Sequence, residues 1–302
     1  MRSTGSGTVP LDQHPKTAKW VPPVGFPMAD VKVSVVLTTL NEGKNLRHLL
    51  DSLVHQESLH EVVLVDAGST DNTLEVAESY RRRFPHLTVI RQPSRRGEGR
   101  NLGAHQATGD LLAFIDGDCV ANAFWLRRLA RAWDKDPMRV VAGKTDLTGY
   151  WAFTKLHRVE LPHRGQDTTW PSCNLAYPRG LFERLGGFDP SFVTAEDIDL
   201  NYRAIEAGAK IVHEPDAIVY AKARDSVTGF LRQAYWNGFG RKQLTAKHGK
   251  LWSQYSFRDM ARHVGGLWST MRMVVGMIGY LDAKLGRQAP QRQPPDPGRV
   301  PA

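Results

Sequence analysis

The sequence predicts an α/β fold: a mostly parallel central sheet flanked by helices, with a C-terminal helical extension. Three observations carry that expectation. Apolar runs of strand length alternate with amphipathic helical stretches from Val31 to Asp118. The connectors between them are short, which favours right-handed βαβ units. One run, Leu111-Leu112-Ala113-Phe114-Ile115, passes straight into Asp116-Gly117-Asp118. A continuous apolar run marks a strand covered on both faces. Ligands of open α/β sheets bind at the carboxyl ends of such strands. Two carboxylates placed there suit Mg²⁺ or Mn²⁺, often held by one or two carboxylates plus substrate phosphates. Asp-Gly-Asp taken alone is also an ordinary turn.

The elements follow in order. Residues 1–30 are rich in Gly, Ser, Thr and Pro and lack periodicity, so they read as a disordered leader, with Trp20 and Phe26 able to pack on the domain. Val31 to Thr38 is a β-branched strand. Asn41 is placed to cap the next helix, whose apolar face is Leu46, Leu49, Leu50 and Leu53. Glu61 to Val65 is a second strand, ending at Asp66. Asp71 is placed to cap a helix reaching about Phe84, where Pro85 stops it. Leu87 to Arg91 is a third strand, Arg100 to Ala107 a short helix, and the strand ending at Asp116 follows. Beyond it the pattern loosens. Asn122 to Asp134 reads as helix and Arg139 to Leu147 as strand. Gly149 to Pro171 lacks a period, and a loop that long is often functional. Pro178 to Leu185 and Glu196 to Ala207 are short helices, and Lys210 to Tyr220 is a strand. Phe230 to His248 and Phe257 to Leu285 are helical. The tail, 288–302, is rich in Pro and Arg and reads as disordered. The expected organisation is a catalytic domain over 31–225, with a nucleotide-binding half (31–118) and an acceptor half (119–225). C-terminal helices over 226–287 complete it.

The net charge of +9 favours an anionic partner such as a nucleotide-sugar or a phospholipid surface. No paired Cys/His zinc ligands and no aromatic RNA-binding pattern occur, so no nucleic-acid partner is expected. Cys119 and Cys173 form no close pair and are expected reduced, in a cytoplasmic protein. No apolar signal-type segment stands at the N-terminus, and no uninterrupted apolar run reaches about 18 residues.

Five segments then stand in a telling order: Val35-Val36-Leu37-Thr38-Thr39-Leu40-Asn41-Glu42, Val65-Asp66-Ala67-Gly68-Ser69-Thr70-Asp71, Gly99-Arg100-Asn101-Leu102-Gly103, Asp116-Gly117-Asp118, and Gly186-Gly187-Phe188-Asp189 with Glu196-Asp197-Ile198-Asp199-Leu200. Over roughly Val33 to Gly240 the chain resembles family 2 glycosyltransferases of the GT-A fold. The resemblance implies inverting, metal-dependent transfer of a sugar from a nucleoside diphosphate donor, most simply a UDP-sugar, to an acceptor hydroxyl. It implies Asp66 as reader of the base, against the alternative of a turn-forming Asp. The family often has a second Asp where this chain has Ala67. Thr38, Leu40 and Glu42 would wall the nucleotide, although Glu42 also suits the first turn of a helix. Arg100 would stand beside base and ribose, Asp116 at the ribose, and Asp118 on a Mn²⁺ or Mg²⁺ ion. Many relatives carry a later His as an extra metal ligand where Ala221 and Lys222 stand here. Lys222 is left either to touch a phosphate or to be solvated. Asp197 matches the general base, with a helix-capping acid as the alternative. Glu196, Trp170 and Asn174 match the acceptor side, while Asp199 reads as structural.

The segment Arg232 to Lys242 has Arg, Gln and Trp, but not in the Gln-x-x-Arg-Trp order of processive synthases, so single addition is expected. Arg241 would reach the diphosphate. Two other classes remain open: a non-catalytic nucleotide-sugar or membrane-surface binding protein, and a nucleotidyltransferase. The acceptor reads as a lipid-linked molecule or a small glycoside. The run Gly265 to Leu281 is apolar, is interrupted by Arg272, and has cations upstream at Arg241, Lys242, Lys247, Lys250, Arg258 and Arg262. With Trp252, Trp268 and Tyr280 it suits the interface of an anionic membrane on its cytoplasmic face. Packing on the domain or on a partner chain is the competing expectation.

Overall fold

The computed structural model describes residues 31–84, 86–149, 159–224, 226–249, 251 and 266–286. The expected leader with Trp20 and Phe26, the tail, Pro85, Lys250, Trp252, Arg258, Arg262 and residues 257–265 of the helix expected over Phe257 to Leu285 lie outside these residues, as does 150–158 of the expected long loop.

An eight-stranded sheet forms the centre, in the order β3-β2-β1-β4-β9-β6-β10-β5. Its parallel part is β1 (Val33–Thr39), β2 (Leu59–Asp66), β3 (Leu87–Arg91) and β4 (Leu111–Asp116). The second half adds β5 (Cys119–Ala121), β6 (Arg139–Thr148), β9 (Leu175–Pro178) and β10 (Lys210–Lys222). Here β6 and β10 run parallel, whereas β9 is antiparallel to β4 and β6, and β5 is antiparallel to β10. A separate hairpin joins β7 (Pro162–His163) to β8 (Gln166–Asp167), inside the stretch expected to be loop.

Helices cover both faces, as the continuous apolar strands require. On one face, α1 (Gly43–Leu53) buries Leu46, Leu49, Leu50 and Leu53, and α4 (Trp125–Trp133) buries Trp125, Leu126, Leu129 and Trp133. The other face carries α3 (Arg96–Gln106), α5 (Arg179–Arg184) and α6 (Glu196–Glu206), around Phe114, Phe182 and Phe188. Glycine spacing sets how closely α3 lies on β1. A Cβ on Gly99 would stand 2.8 Å from Thr38 Cγ2, and one on Gly103 would stand 2.6 Å from Val36 Cγ1.

Four local expectations are corrected. Asn41 does not cap α1: at φ 55° its Oδ1 accepts from Thr70 N–H at 2.8 Å, tying two loops together. The helix after Asp71, α2, spans only Thr73–Ser79, because the chain then closes successive turns such as Arg83 N–H to Tyr80 C=O. The helix expected from Arg100 starts at Arg96, since Glu98 Oε2 accepts from Arg95 N–H at 2.8 Å and closes an earlier first turn. Strands β5 and β9 are too short to show a period, so the sequence missed them. Two long helices follow the sheet: α7 (Val227–His248), capped by Ser226 Oγ accepting from Gly229 N–H, and α8 (Leu267–Lys284).

Candidate active site

Strand register brings the first half of the site together. Thr38 of β1 is the neighbour of Asp116 on β4, and Thr39 is the neighbour of Asp66 on β2. These residues share one edge of a parallel sheet at its carboxyl end. Asp66 is buried. Its Oδ2 accepts from Gly68 and Ser69 N–H at 3.2 and 3.0 Å, while Oδ1 is buried with no hydrogen-bond partner among the described residues. A buried carboxylate oxygen left open at a strand end suits a ligand N–H, because an unsatisfied acceptor there is costly.

Leu40 and Glu42 follow β1. Glu42 Oε2 accepts from Asn45 Nδ2 at 2.7 Å, and its Cγ lies 3.5 Å from where a Gly117 Cβ would be, so Glu42 borders the Asp116–Asp118 turn. Burial raises the Glu42 pKa, Asn45 opposes this, and Asp118 adds to it. Asp118 is raised by burial and by the charge of Asp116, with Arg224 and Arg96 acting the other way. The Cys119 thiol donates to its Oδ1 only weakly, at 3.7 Å. Such a carboxylate gains from a cation.

Among the described residues no group of three or more His, Cys, Asp or Glu side chains is disposed to hold a metal ion by itself. The donor set instead fits a cation shared with a ligand: Asp118, with Glu42 beside it, supplies hard oxygens, and phosphates would complete the sphere. No histidine ends β10; Lys222 ends it, with Arg224 beyond.

Arg100 is the hub of the site and is only 1% exposed. Its Nη2 donates to Asp116 Oδ1 at 2.6 Å and its Nη1 to Glu196 Oε1 at 2.8 Å. The pair of carboxylates overcomes burial and raises the Arg100 pKa. Burial opposes ionisation of Asp116, but Arg100 outweighs it and holds that carboxyl below the usual range. Arg100 therefore does not stand open beside a base and ribose. It joins the sheet edge to the first turn of α6.

That first turn holds Asp197. Asp197 Oδ2 accepts from Ser172 N–H at 3.1 Å and Oδ1 from Ile198 N–H at 2.9 Å. Burial, with Glu196 adding its negative charge, pushes Asp197 up to about 6. A carboxylate poised there is matched to taking a proton near neutral pH. Asn101 fixes the approach of this half: its Oδ1 accepts from Phe188 N–H at 2.8 Å and its Nδ2 donates to Phe188 C=O at 2.7 Å. Gly187 precedes it at φ 69°, where a Cβ would strike Asn101 Oδ1.

The remaining expected residues fall in different places. Asn174 is fully buried, and its side chain serves the core: it accepts from Trp125 Nε1 and donates to the carbonyls of Lys144 and Ala217. It is corrected from an acceptor-side contact to a tie between strands, because both polar atoms of its side chain are already engaged. Trp170 stacks on His213 at 4.6 Å between ring centroids, and its carbonyl accepts from Asn201 Nδ2. Arg241 lies on α7 beside Gly240, which packs against Thr194 and Ala195 just before α6. Asp199 is buried, accepting from Lys247, Arg203 and the His248 ring. Sequence reasoning missed Ser172 and the clasp made by Asn101. Ser172 acts through its backbone, which leaves no residue-type signal.

Residues 34–178 match the family model described as "Glycosyl transferase family 2". The glycosyltransferase AglE of Haloferax volcanii is 28% identical over 207 residues, 64% of this chain and 67% of that protein. The chain spans about half the length of another curated relative it matches. Among solved structures, the mannosyltransferase PcManGT from Pyrobaculum calidifontis, in complex with GDP-Man and Mn²⁺, superposes with TM-score 0.63 at 19% identity, over 85% of this chain and 88% of that one. TarS 1-349 of S. aureus in complex with UDP-GlcNAc gives TM-score 0.55 at 22% identity, over 83% and 81%. These likenesses show the same fold.

Proposed function

Because the chain belongs to the family 2 glycosyltransferases, we propose that it transfers a sugar, with inversion, from a nucleoside diphosphate donor to an acceptor hydroxyl. The observation that carries this reading is the chain Asp116–Arg100–Glu196, centred on the buried Arg100 and ending beside Asp197, which joins a donor edge to a proton acceptor. The open Oδ1 of Asp66 suits the imide N–H of uracil, so UDP is the preferred base. Solved relatives in fold hold GDP-Man with Mn²⁺ and UDP-GlcNAc, which supports a nucleotide-sugar donor and a divalent cation.

Asp118, with Glu42 beside it, would hold Mn²⁺ or Mg²⁺ together with the donor phosphates. A cation bound there would offset the charge that grows on the leaving diphosphate. Arg96 and Arg224 add positive charge at Asp118. Asp116 would face the ribose and Thr38 and Leu40 the nucleotide. Asp197 takes the proton of the acceptor hydroxyl as its oxygen bonds to the anomeric carbon; the bond from that carbon to the diphosphate oxygen breaks on the opposite face. Trp170 is the candidate wall for the acceptor, and single addition is proposed over processive synthesis. A cytoplasmic location, the compartment that two unbridged thiols suit, belongs to the same proposal.

Product analysis tests the reading. Incubation with a panel of nucleotide-sugars and glycoside acceptors should release nucleoside diphosphate and stop with a chelator. Pyrophosphate release would make it a nucleotidyltransferase. Binding without turnover across the panel would make it a binding protein.

A further inference from the structure

Helix α8 is inside-out. A helix on a water-soluble domain turns its apolar face inward. Here the side facing α7 is small or polar apart from Trp268, which packs edge-on against Phe230 near the start of the helix. Ser269 and Gly279 are the buried residues, and Asp282 accepts from the Tyr235 hydroxyl at 3.0 Å. The backbones nearly touch: a Cβ on Gly238 would lie 1.7 Å from Gly276 C=O, and one on Gly279 would lie 2.0 Å from Tyr235 C=O. Small-residue crossings of this kind are typical of helices packed in apolar surroundings. The opposite side carries Leu267, Val274, Met277, Ile278, Leu281 and Leu285, all exposed, the first and last at 69% and 78%. On the helical wheel they form a single stripe about 27 Å long. Arg272, the charge that interrupts the run, is only partly exposed, and desolvation lowers its pKa.

One edge of the stripe is basic and aromatic. Lys242 Nζ lies 6.0 Å over the Tyr280 ring, and Lys284 is exposed at the helix end. An apolar stripe bordered by Lys and Tyr complements the boundary of an anionic bilayer. No helix among the described residues is long and apolar enough to cross a membrane, so the fitting arrangement is a helix lying in the interface. Helix α7 connects α8 to the acceptor side. Two residues from the Gly238 crossing, Gly240 packs on Thr194 and Ala195, and Gln243 accepts from Val193 N–H and donates to Ser191 C=O. That loop leads directly into Glu196 and Asp197.

We propose that the exposed face of α8 docks the protein on an anionic phospholipid surface, and that the docked enzyme takes its acceptor from that surface. The docking stands by itself; the acceptor class rests on the transfer reaction proposed above. Lipid is favoured over a second copy because the stripe is edged by cations, which two identical faces would bring together unpaired.

Flotation of the full chain tests this. It should rise with vesicles of phosphatidylglycerol and phosphatidylcholine in equal parts, and less with phosphatidylcholine alone or at high salt. The triple variant V274E/I278E/L281E changes only exposed side chains. It should lose roughly tenfold or more of the vesicle-bound fraction, with melting and UDP binding unchanged. In Val274→Trp, brominated lipid should quench more fluorescence than in the wild type, a readout that survives any folding defect of the triple variant. Three outcomes overturn the proposal: wild type that stays down with anionic vesicles, no extra quenching in Val274→Trp, or a wild-type dimer that the triple variant dissolves without vesicle binding in either. UDP binding on the same samples separates failure of docking from failure of the transfer reading.

Discussion

Asp197→Asn separates the two properties that the fold gives this carboxylate. In the folded protein its pKa is about 6, against 3.8 for an ordinary aspartate, because it is buried and Glu196 lies beside it. The folded state therefore binds more protons than the unfolded state between those values. Wild-type stability is lost as pH rises from about 4 to about 6. The span from 3.8 to about 6, at about 1.36 kcal/mol for each pH unit, gives about 3 kcal/mol. An amide at this position carries no such dependence. It does lose one of the two acceptor bonds to Ser172 and Ile198 N–H, by an amount that does not change with pH. The difference in unfolding free energy, variant minus wild type, should thus climb by about 3 kcal/mol between pH 3.5 and pH 7, whatever its starting value. Urea unfolding at a series of pH values measures it. In the transfer assay, wild-type kcat/KM should fall below pH of about 6, and the variant should lose roughly 10²-fold or more and show no such limb. A flat stability difference across this range would show that Asp197 ionises like a solvated aspartate, and the argument for a tuned base would fail.

Asp118→Asn should nearly abolish turnover with little change in fold, and titration with Mn²⁺ should no longer raise the melting temperature in the presence of UDP. Asp66→Ala should weaken UDP binding by about 1–3 kcal/mol, the loss expected for a hydrogen bond to a charged group, as read by calorimetry. Ribose 5-phosphate, which lacks a base, should bind unchanged. Arg100→Met should destabilise the fold by about 3–5 kcal/mol, because Glu196 is left an uncompensated buried charge and the partly buried Asp116 loses its partner. Chemical unfolding checks this, and the double variant R100M/E196Q should recover part of the loss.

The sequence by itself determined the α/β class and the end of the sheet at which chemistry sits. Short apolar runs such as Leu111 to Ile115, set among short connectors, read as buried strands, and a carboxylate following such a strand emerges at its carboxyl end. It also determined the spacing of Gly99 and Gly103, one turn of helix apart, which the close approach of α3 to β1 requires. These are local signals, written in period and residue type. Only the tertiary structure decided what the charged residues do, because their partners are distant in the chain. Arg100 meets Glu196 across 96 positions, so neither motif announces that it neutralises the other. Asn174 stands in a segment that resembles an acceptor wall, yet its amide is used up by Trp125, Lys144 and Ala217. Asp199 is a structural anchor because α7 brings Lys247 and His248 to it. The direction of α8 was equally hidden. Its composition allows either face to turn inward, and the close backbone crossing at Gly238 and Gly279 selects the small, polar one, leaving the apolar face outside.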